Sequence, residues 1–251
     1  MIAKTLAVFL GMIPLAILAE SDSAFTKGIE AYSNADYSAA AQAFAESARQ
    51  RPATGVLENL GLAQWRQGRV GAAVLAWEQA VWIDPFNQTA HNNLRYARKA
   101  EQLESPDLTW YEVVSAWLPP SWWAWLAGAG LWLAVGMTML PGIFRWRRSG
   151  WQQALAALGI MIFLLSLPAH LGVFTRSKLG FFIEKETEIR LTPTQDGQVI
   201  ARMTPGESAR FERARGKYVL VRTTRGVGWV DRNKFAQVTS SEAWSGKANL
   251  N

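Results

Sequence analysis

The sequence predicts a multidomain chain in which an all-α repeat region, a two-helix transmembrane hairpin and a small all-β domain follow one another. Three observations support this class. Small, aromatic and proline residues recur at a spacing of 33 in the N-terminal part of the 251-residue chain. Two long runs without charged residues follow, and after Phe182 apolar and polar residues alternate. These patterns are typical of helical repeats, membrane spans and short strands, respectively.

The composition limits the classes of function. Hydrophobic residues make up 49% of the chain and charged residues only 18%, whereas an ordinary soluble domain has roughly 25% charged residues. The absence of cysteine excludes disulfide scaffolds, thiolate metal sites and cysteine nucleophiles. Residues 175–251 carry 14 basic and 8 acidic residues. An anionic partner such as phospholipid, cell-wall polymer or an acidic protein face therefore suits this part of the chain best.

The N-terminus has the layout of a secretory signal peptide over residues 1–19. Lys4 precedes an apolar run, and the small residue Ala19 stands before the acidic Glu20. This order of basic, apolar and small residues favours cleavage near 19/20, and an uncleaved membrane anchor is the alternative. In both cases the residues that follow are expected to be exported.

Residues 21–105 contain copies of one helical unit. Small residues let two antiparallel helices approach, an aromatic residue fills the space beside them, and a proline ends the second helix. The equivalent residues are Gly28 and Gly61, Ala40 and Ala73, Phe44 and Trp77, and Pro52 and Pro85. This unit resembles the tetratricopeptide repeat, a helix–turn–helix of 34 residues. A generic alanine-rich helical bundle is the alternative.

The copies differ in how closely they follow this repeat. The second has Gly68 at its turn, whereas the first has Ala35 where the repeat usually has glycine. A third begins at Thr89 and stops after one helix, which we interpret as a solvating cap. Stacked repeats form a concave surface that suits a partner helix or an extended peptide. The candidate protein-binding residues on this surface are Phe25, Ile29, Tyr32, Leu62, Trp65, Arg66 and Tyr96.

Residues 106–120 predict a short amphipathic helix in the membrane interface. Thr109 and Glu112 have the spacing of a capping box, which marks the start of a helix. Val113 and Trp117 lie on one apolar face of this helix. Such a face favours a position in the headgroup layer of a bilayer.

Residues 122–143 and 152–174 each predict a transmembrane helix. Each run has more than 20 residues without a charge, which is enough to cross a hydrocarbon core of about 30 Å. Tryptophans crowd both ends of the first run, as expected for an aromatic belt in the headgroup layer. A buried helical hairpin in a soluble protein is the alternative.

The loop 144–151 predicts how the two spans are oriented. It contains Arg145, Arg147 and Arg148, and positive charge in a short loop stays on the cytoplasmic side. We therefore expect a multi-pass membrane protein with both soluble parts on the extracytoplasmic side. The same arginines suit anionic lipid headgroups, whereas so short a loop offers no platform for nucleic-acid bases.

Residues 180–240 predict a small β-barrel, and residues 241–251 a flexible tail. Five segments of alternating apolar and polar residues are separated by turn signals. The segments 189–191 before a proline turn, 205–207 before a strand and 226–230 near the end resemble those of the bacterial SH3-type domain. The resemblance implies an SH3-like barrel for this part of the chain.

Tyr218 and Trp229 are candidates for a ligand groove of this barrel. They form either an aromatic shelf for a peptide or a cell-wall stem peptide, or part of the core, which Trp229 would then cap. Tyr218 stands where the family often has tryptophan. The arginines between Arg202 and Arg225 alternate with apolar neighbours. We expect them on a solvated outer face, and an anionic docking surface is the alternative.

The sequence shows no catalytic motif, so we expect no enzyme activity, no cofactor and no metal. It has no set of metal ligands, no paired-carboxylate site, no phosphate loop and no nucleophile elbow. His91 is expected on the surface of the cap helix. His170 near the outer end of the second span either is functional or reaches a headgroup or a carbonyl freed by Pro168.

The order of these modules over nearly the whole mature chain resembles the BatE-like membrane proteins of aerotolerance operons. The resemblance implies a non-catalytic scaffold or adaptor in an envelope-stress complex. Its implied partners are membrane proteins with von Willebrand A domains and an associated MoxR-type ATPase. The competing function is a cell-wall module that binds peptidoglycan and recruits or regulates a membrane enzyme.

Overall fold

The computed structural model describes residues 15–144 and 149–239, which form eight α-helices and a seven-stranded antiparallel sheet. An all-α region, a pair of long apolar helices and a β domain follow one another along these residues, in the predicted order. Most of the predicted signal peptide, Arg145, Arg147 and Arg148, and the predicted tail lie outside the described residues. The five helices of the N-terminal region are α1 Leu15–Ser33, α2 Tyr37–Gln50, α3 Thr54–Arg66, α4 Val70–Ile83 and α5 Gln88–Ala100.

The N-terminal helices pack as two equivalent hairpins. In each hairpin a glycine of the first helix lies directly under an aromatic ring of the second, Gly28 under Phe44 and Gly61 under Trp77. A β-carbon on either glycine would overlap the ring, which explains why the spacing of 33 keeps both residue types. The rings of Phe44 and Trp77 are fully buried and form the centre of the helical core.

The two hairpin turns share one backbone conformation. Ala35 between α1 and α2 has a φ of 59°, and Gly68 between α3 and α4 has a φ of 72°. Only glycine adopts this left-handed conformation without a steric cost. The substitution of alanine for glycine in the first copy therefore leaves strain at its turn.

Two helices after the N-terminal region are long and apolar enough to cross a membrane: α7 Pro120–Ile143 and α8 Gly150–Arg176. Each begins two residues before the predicted span. The helix α7 can start at Pro120 because a missing N–H costs nothing in the first turn of a helix. The two backbones are in contact where Gly130 faces Gly159. Most of their apolar side chains are exposed in the isolated chain.

The predicted interfacial helix is shorter than the sequence suggested. Before α7 begins at Pro120, only α6, Trp110–Ser115, is helical in this segment, and it packs against α8 where its backbone lies on Gly172. The capping box is present. The opposite side of this segment carries exposed apolar residues, including Trp110 and Trp117.

The β domain contains seven strands rather than five, in the order β3-β2-β6-β5-β4-β1-β7. The strands are β1 Leu179–Phe182, β2 Thr187–Arg190, β3 Val199–Met203, β4 Ser208–Arg215, β5 Tyr218–Thr223, β6 Gly226–Asp231 and β7 Phe235–Gln237. The first strand was missed because all four of its residues are buried, and a strand covered on both faces shows no alternation. The last strand has only three residues.

Strand β1 joins the β domain to the helical region. Its alternate residues belong to different cores: Phe181 packs with the N-terminal helices, whereas Phe182 packs inside the sheet. The backbone at Phe182 and Ile183 lies directly on Gly71 of α4. The apolar core of the helical region therefore extends onto the outer face of the sheet.

Candidate functional site: an aromatic surface and a buried junction

Part of the predicted concave surface is present as one cluster of side chains. Arg66 donates a hydrogen bond to Tyr32, and the rings of Trp65 and Tyr96 meet edge to face at 5.8 Å. Tyr37, which the sequence analysis did not select, completes the cluster because its ring lies 5.2 Å from that of Tyr32. These five residues, Tyr32, Tyr37, Trp65, Arg66 and Tyr96, are called the aromatic–arginine surface below.

The repeat explains why these side chains meet. Tyr32 and Trp65 occupy equivalent positions, separated by 33 residues, in the last turns of α1 and α3. The first helices of successive hairpins lie side by side in a stack of this kind, so equivalent positions line one face. Tyr96 comes to the same face from α5.

The other predicted residues of this surface have different surroundings. Phe25 packs against Phe44, with ring centroids 5.7 Å apart, and Leu62 packs against the helical core. Tyr32 and Trp65 pack against the same core, so Phe25 and Leu62 differ from them only in having no ring contact with the cluster. Ile29 is exposed to 44% and lies one turn before Tyr32 on α1.

Arg66 supplies the charge of the aromatic–arginine surface. The hydrogen bond with Tyr32, with smaller contributions from Tyr37 and Tyr96, raises the pKa of Arg66 above its ordinary value. Its side chain is exposed, and it has no carboxylate partner among residues 15–144 and 149–239. The surface thus presents a permanent positive charge surrounded by aromatic rings, which suits an acidic or backbone-carbonyl group of a protein partner.

Tyr218 and Trp229 do not belong to the core of the sheet. Their strand neighbours Val219 and Val230 point into that core, so Tyr218 and Trp229 point to the outer face, since residues alternate along a strand. Trp229 therefore does not cap the core. It is buried instead under the guanidinium of Arg213, 5.4 Å from the ring.

A cavity of about 490 Å³ lies beside Tyr218, between the β4–β5 turn and the loop that joins β2 to β3. Lys217 adds an ammonium group 5.5 Å from the Tyr218 ring, and Arg215 lines the same cavity. The remaining lining residues are Pro193, Thr194 and Gly216. Trp229 is not among them. Of the two predicted groove residues, Tyr218 alone lines this cavity, and two cations accompany it.

A buried ion pair connects α6 with the β domain. The carboxylate of Glu112 is almost fully buried and accepts two hydrogen bonds from Arg210 of β4, at 2.6 and 2.8 Å. Arg210 also donates to the carbonyl of Asp107 at 2.8 Å. The same carboxylate accepts from the backbone N–H of Thr109 at 2.8 Å and from its hydroxyl at 2.9 Å. The expectation of a solvated position is therefore wrong for Arg210.

The electrostatics of Glu112 follow from these contacts. Burial by itself raises the pKa of the carboxyl, but hydrogen bonds from Arg210 and from the backbone and hydroxyl of Thr109 outweigh burial. Together with a hydrogen bond from Thr175 they lower the pKa of Glu112 to about 2. The group is therefore an anion at every ordinary pH, and Arg210 is held in place by it.

A second polar contact joins the end of α8 to the helical region. Arg176 donates to the hydroxyl of Ser115 at 3.2 Å, and its guanidinium lies 4.9 Å from the ring centroid of Trp82 on α4. Nearby, Glu78 pairs with Arg98. Burial raises the pKa of Glu78, opposed by the charges of Arg98 and Arg176. The helical region, α6, α8 and the sheet thus meet in one place, called the junction below.

No sequence signal could have identified the junction. The capping box pointed to Glu112, but its partner Arg210 lies 98 positions later, in a strand where arginine alternates with apolar residues. Arg176 looked like an ordinary basic residue after a membrane span. The pairing of these residues depends on the tertiary fold alone.

Both histidines contact backbone carbonyls of their own segments. His91 donates to the carbonyl of Pro85 at 2.9 Å, and His170 donates to the carbonyl of Ser166 at 2.9 Å. Within residues 15–144 and 149–239, no group of three or more histidine, aspartate or glutamate residues could hold a metal ion. The polar clusters in this part of the chain thus connect structural elements.

No known family model matches this chain, and no curated protein or solved structure is significantly similar to it. Two surfaces are open to a partner in the described structure, the aromatic–arginine surface and the cavity beside Tyr218. The junction holds the modules that carry these surfaces.

Proposed function

We propose that the chain is a non-catalytic scaffold that α7 and α8 anchor in the bacterial inner membrane. In this proposal the tetratricopeptide-like repeats and the SH3-like domain lie on the periplasmic side and assemble an envelope complex. The observation that carries the proposal is the junction, where Glu112 and Arg210 connect α6 to the sheet and Arg176 connects α8 to both α4 and α6. A scaffold needs such fixed connections because it must present its surfaces in a defined arrangement.

The aromatic–arginine surface is the proposed docking site for a protein of the same membrane. Aromatic residues and arginine are the side chains that contribute most to binding at protein interfaces. Tyr96 is exposed to 65% and lies at the edge of the cluster. In line with the resemblance to the BatE-like family, the proposed partners are von Willebrand A-domain membrane proteins with an associated MoxR-type ATPase.

Site-specific photo-cross-linking in intact membranes tests this function. A photoreactive phenylalanine analogue at Tyr96 should capture a membrane protein with a von Willebrand A domain. The same analogue at Gln42, an exposed residue of the second helix in its hairpin, is the matched control and should capture none. Arg66→Ala should reduce capture at position 96. Equal capture at both positions, or capture at 96 that is independent of Arg66, would contradict the proposal.

The cavity beside Tyr218 supports the second candidate function, a module that binds peptidoglycan. An aromatic residue with two adjacent cations suits a peptide that carries carboxylates. The test is co-sedimentation of the detergent-solubilised full chain with purified cell wall. The isolated segment 180–240 is a poor substitute, because it lacks Leu179 and would expose Phe181 to water.

Arg215→Ala and Lys217→Ala should each weaken this sedimentation, whereas Arg222→Ala should not. Arg222 is the matched control since it lies on the same sheet but is paired with Glu212. Absence of binding by the unaltered chain would exclude the cell-wall function. It would leave the scaffold function in place.

A further inference from the structure

The direction of α4 determines which edge of the helical region faces the long apolar helices. Gly71 near the start of α4 lies on Phe182 and Ile183, at the far end of β1. Trp82 near the end of α4 lies beside Arg176, the last residue of α8. The helix α4 therefore runs from the sheet toward the apolar hairpin, antiparallel to β1.

It follows that the loop after α4, residues 84–87, lies on the hairpin side of the helical region. The turn before α4, which contains Arg69, lies at the opposite end. A helix of 14 residues separates the two ends by about 20 Å. Because α5 returns antiparallel to α4, Leu103 after α5 is again at the sheet end, where it packs beside Gly206.

This loop carries an exposed aromatic side chain in a fixed position. Phe86 is exposed to 60%, whereas most large apolar side chains of the helical region are buried. Its backbone N–H donates to the carboxylate of Asp84 at 2.9 Å, and the carbonyl of Pro85 accepts from His91 at 2.9 Å. The side chain of Asn87 caps α5 at Ala90. Because these hydrogen bonds already fix the loop, it loses little conformational entropy when Phe86 inserts into an apolar layer.

Other exposed aromatic residues surround the same end of the molecule. Trp110, the first residue of α6, is exposed to 67%, and Trp117, just after this helix, is exposed to 62%. The helix α6 packs on α8 at Gly172. Phe174 is exposed to 59% two residues before the end of α8, and the ammonium of Lys178 lies 4.6 Å from its ring. Aromatic rings with an adjacent lysine are typical of side chains in the headgroup layer.

We propose that the loop 84–87 inserts Phe86 into the headgroup layer of the bilayer that α7 and α8 cross. The helical region then lies against the membrane surface, where the junction, α6 and Phe86 hold it. This inference rests on the proposed membrane anchoring. The bilayer is the occupant that the structure favours, because the loop adjoins the end of α8, the helix on which α6 packs with its exposed tryptophans.

Depth measurement with single-cysteine variants tests this inference. The chain has no cysteine, so each introduced thiol can be labelled without background. Phe86→Cys is the test variant, Arg69→Cys at the opposite end is the water-exposed control, and Trp132→Cys on α7, exposed to 75%, is the lipid control. Each is labelled with an environment-sensitive fluorophore in vesicles of phosphatidylethanolamine and phosphatidylglycerol, with quenchers placed in the headgroup, in the acyl chain or in water.

The expected result is that headgroup quenchers reduce emission at position 86 at least threefold more than at position 69. Acyl-chain quenchers should act most strongly at position 132. If the fluorophore at position 86 is quenched from water as at position 69, while acyl-chain quenchers act at position 132, the inference is wrong and the membrane anchoring is supported. If position 132 is quenched from water, the anchoring itself is wrong. If position 86 is shielded from lipid and from water, a protein covers it and the inference is wrong.

Discussion

At the scale of single residues, Glu112 combines two structural roles in one carboxylate. It caps α6 through Thr109, and it holds Arg210 through two hydrogen bonds. Removing one partner of a buried ion pair leaves the other charge without compensation, which costs roughly 3–5 kcal/mol. Glu112 is therefore expected to contribute more to stability than any exposed ion pair of the chain.

We predict that Glu112→Gln lowers the thermal stability of the purified protein at pH 7 and flattens its dependence on pH. The pKa of Glu112 is about 2, below its ordinary value of 4.5, so its contribution is complete above about pH 4.5 and disappears as the pH falls toward 2. Unfolding followed by circular dichroism between pH 2 and pH 7 measures both effects. Glu46→Gln removes an exposed pair with Arg49 and should change little. An unaltered pH profile in Glu112→Gln would contradict the assignment.

Ala35 offers a second prediction at this scale. Its left-handed conformation, with a φ of 59°, costs an alanine about 1–2 kcal/mol. Glycine avoids this cost, but it loses more conformational entropy on folding, which offsets part of the gain. Ala35→Gly should therefore stabilise the helical region by roughly 0.5–1 kcal/mol in chemical denaturation. Gly68→Ala at the equivalent turn should have the opposite effect. Destabilisation by Ala35→Gly would show that the turn is not strained.

At the scale of helices and strands, the glycine at the contact between α4 and β1 is the critical residue. A β-carbon on Gly71 would overlap the backbone of Phe182 and Ile183. A helical glycine in open space, such as Gly55, has no such constraint. The same substitution should therefore have opposite effects at the two positions.

We predict that Gly71→Ala separates the sheet from the helical region, because β1 has to move away from α4. Hydrogen exchange of the amides of residues 179–182 should become faster by at least tenfold. The control Gly55→Ala should stabilise its helix by about 0.5–1 kcal/mol and leave this exchange unchanged. Unaltered exchange in Gly71→Ala would mean that β1 does not dock on α4 in solution.

The elements themselves could be predicted from the sequence wherever one pattern governs a whole segment. The spacing of 33 located the first four helices, and the lack of charge located α7 and α8 to within a few residues. The pattern failed for β1, because both faces of Leu179–Phe182 are buried against different cores. It left the position of Trp229 open, since the sequence does not distinguish an aromatic residue buried under an arginine from one inside the sheet.

At the scale of the whole molecule, the order of the modules was predictable and their arrangement was not. Each module has a local periodicity, whereas the junction connects residues that are distant in sequence, such as Ser115 with Arg176 and Glu112 with Arg210. Part of the aromatic–arginine surface could be predicted, because the repeat places Tyr32 and Trp65 at equivalent positions. Tyr37 escaped detection because it begins a second helix rather than ending a first one.

The proposed topology leads to a prediction for the intact membrane. Replacing Arg145, Arg147 and Arg148 with asparagine should give mixed orientation of reporter domains fused after residue 239, since the positive charges of the loop would no longer favour the cytoplasmic side. Replacing three arginines of the helical region, Arg49, Arg51 and Arg69, is the matched control and should not change orientation. Unchanged orientation in the loop variant would show that the N-terminal segment alone determines the topology.

The contact between α4 and β1 also has a consequence for biosynthesis. The seven consecutive buried residues from Gly71 to Trp77 leave the ribosome just over 100 residues before Leu179. Under the proposed topology, two membrane insertions take place between these events. Until they are complete, α4 has no strand to cover it, and contacts so distant in sequence form late. The chain thus passes through an intermediate with an exposed apolar helix, the kind of species on which chaperones act.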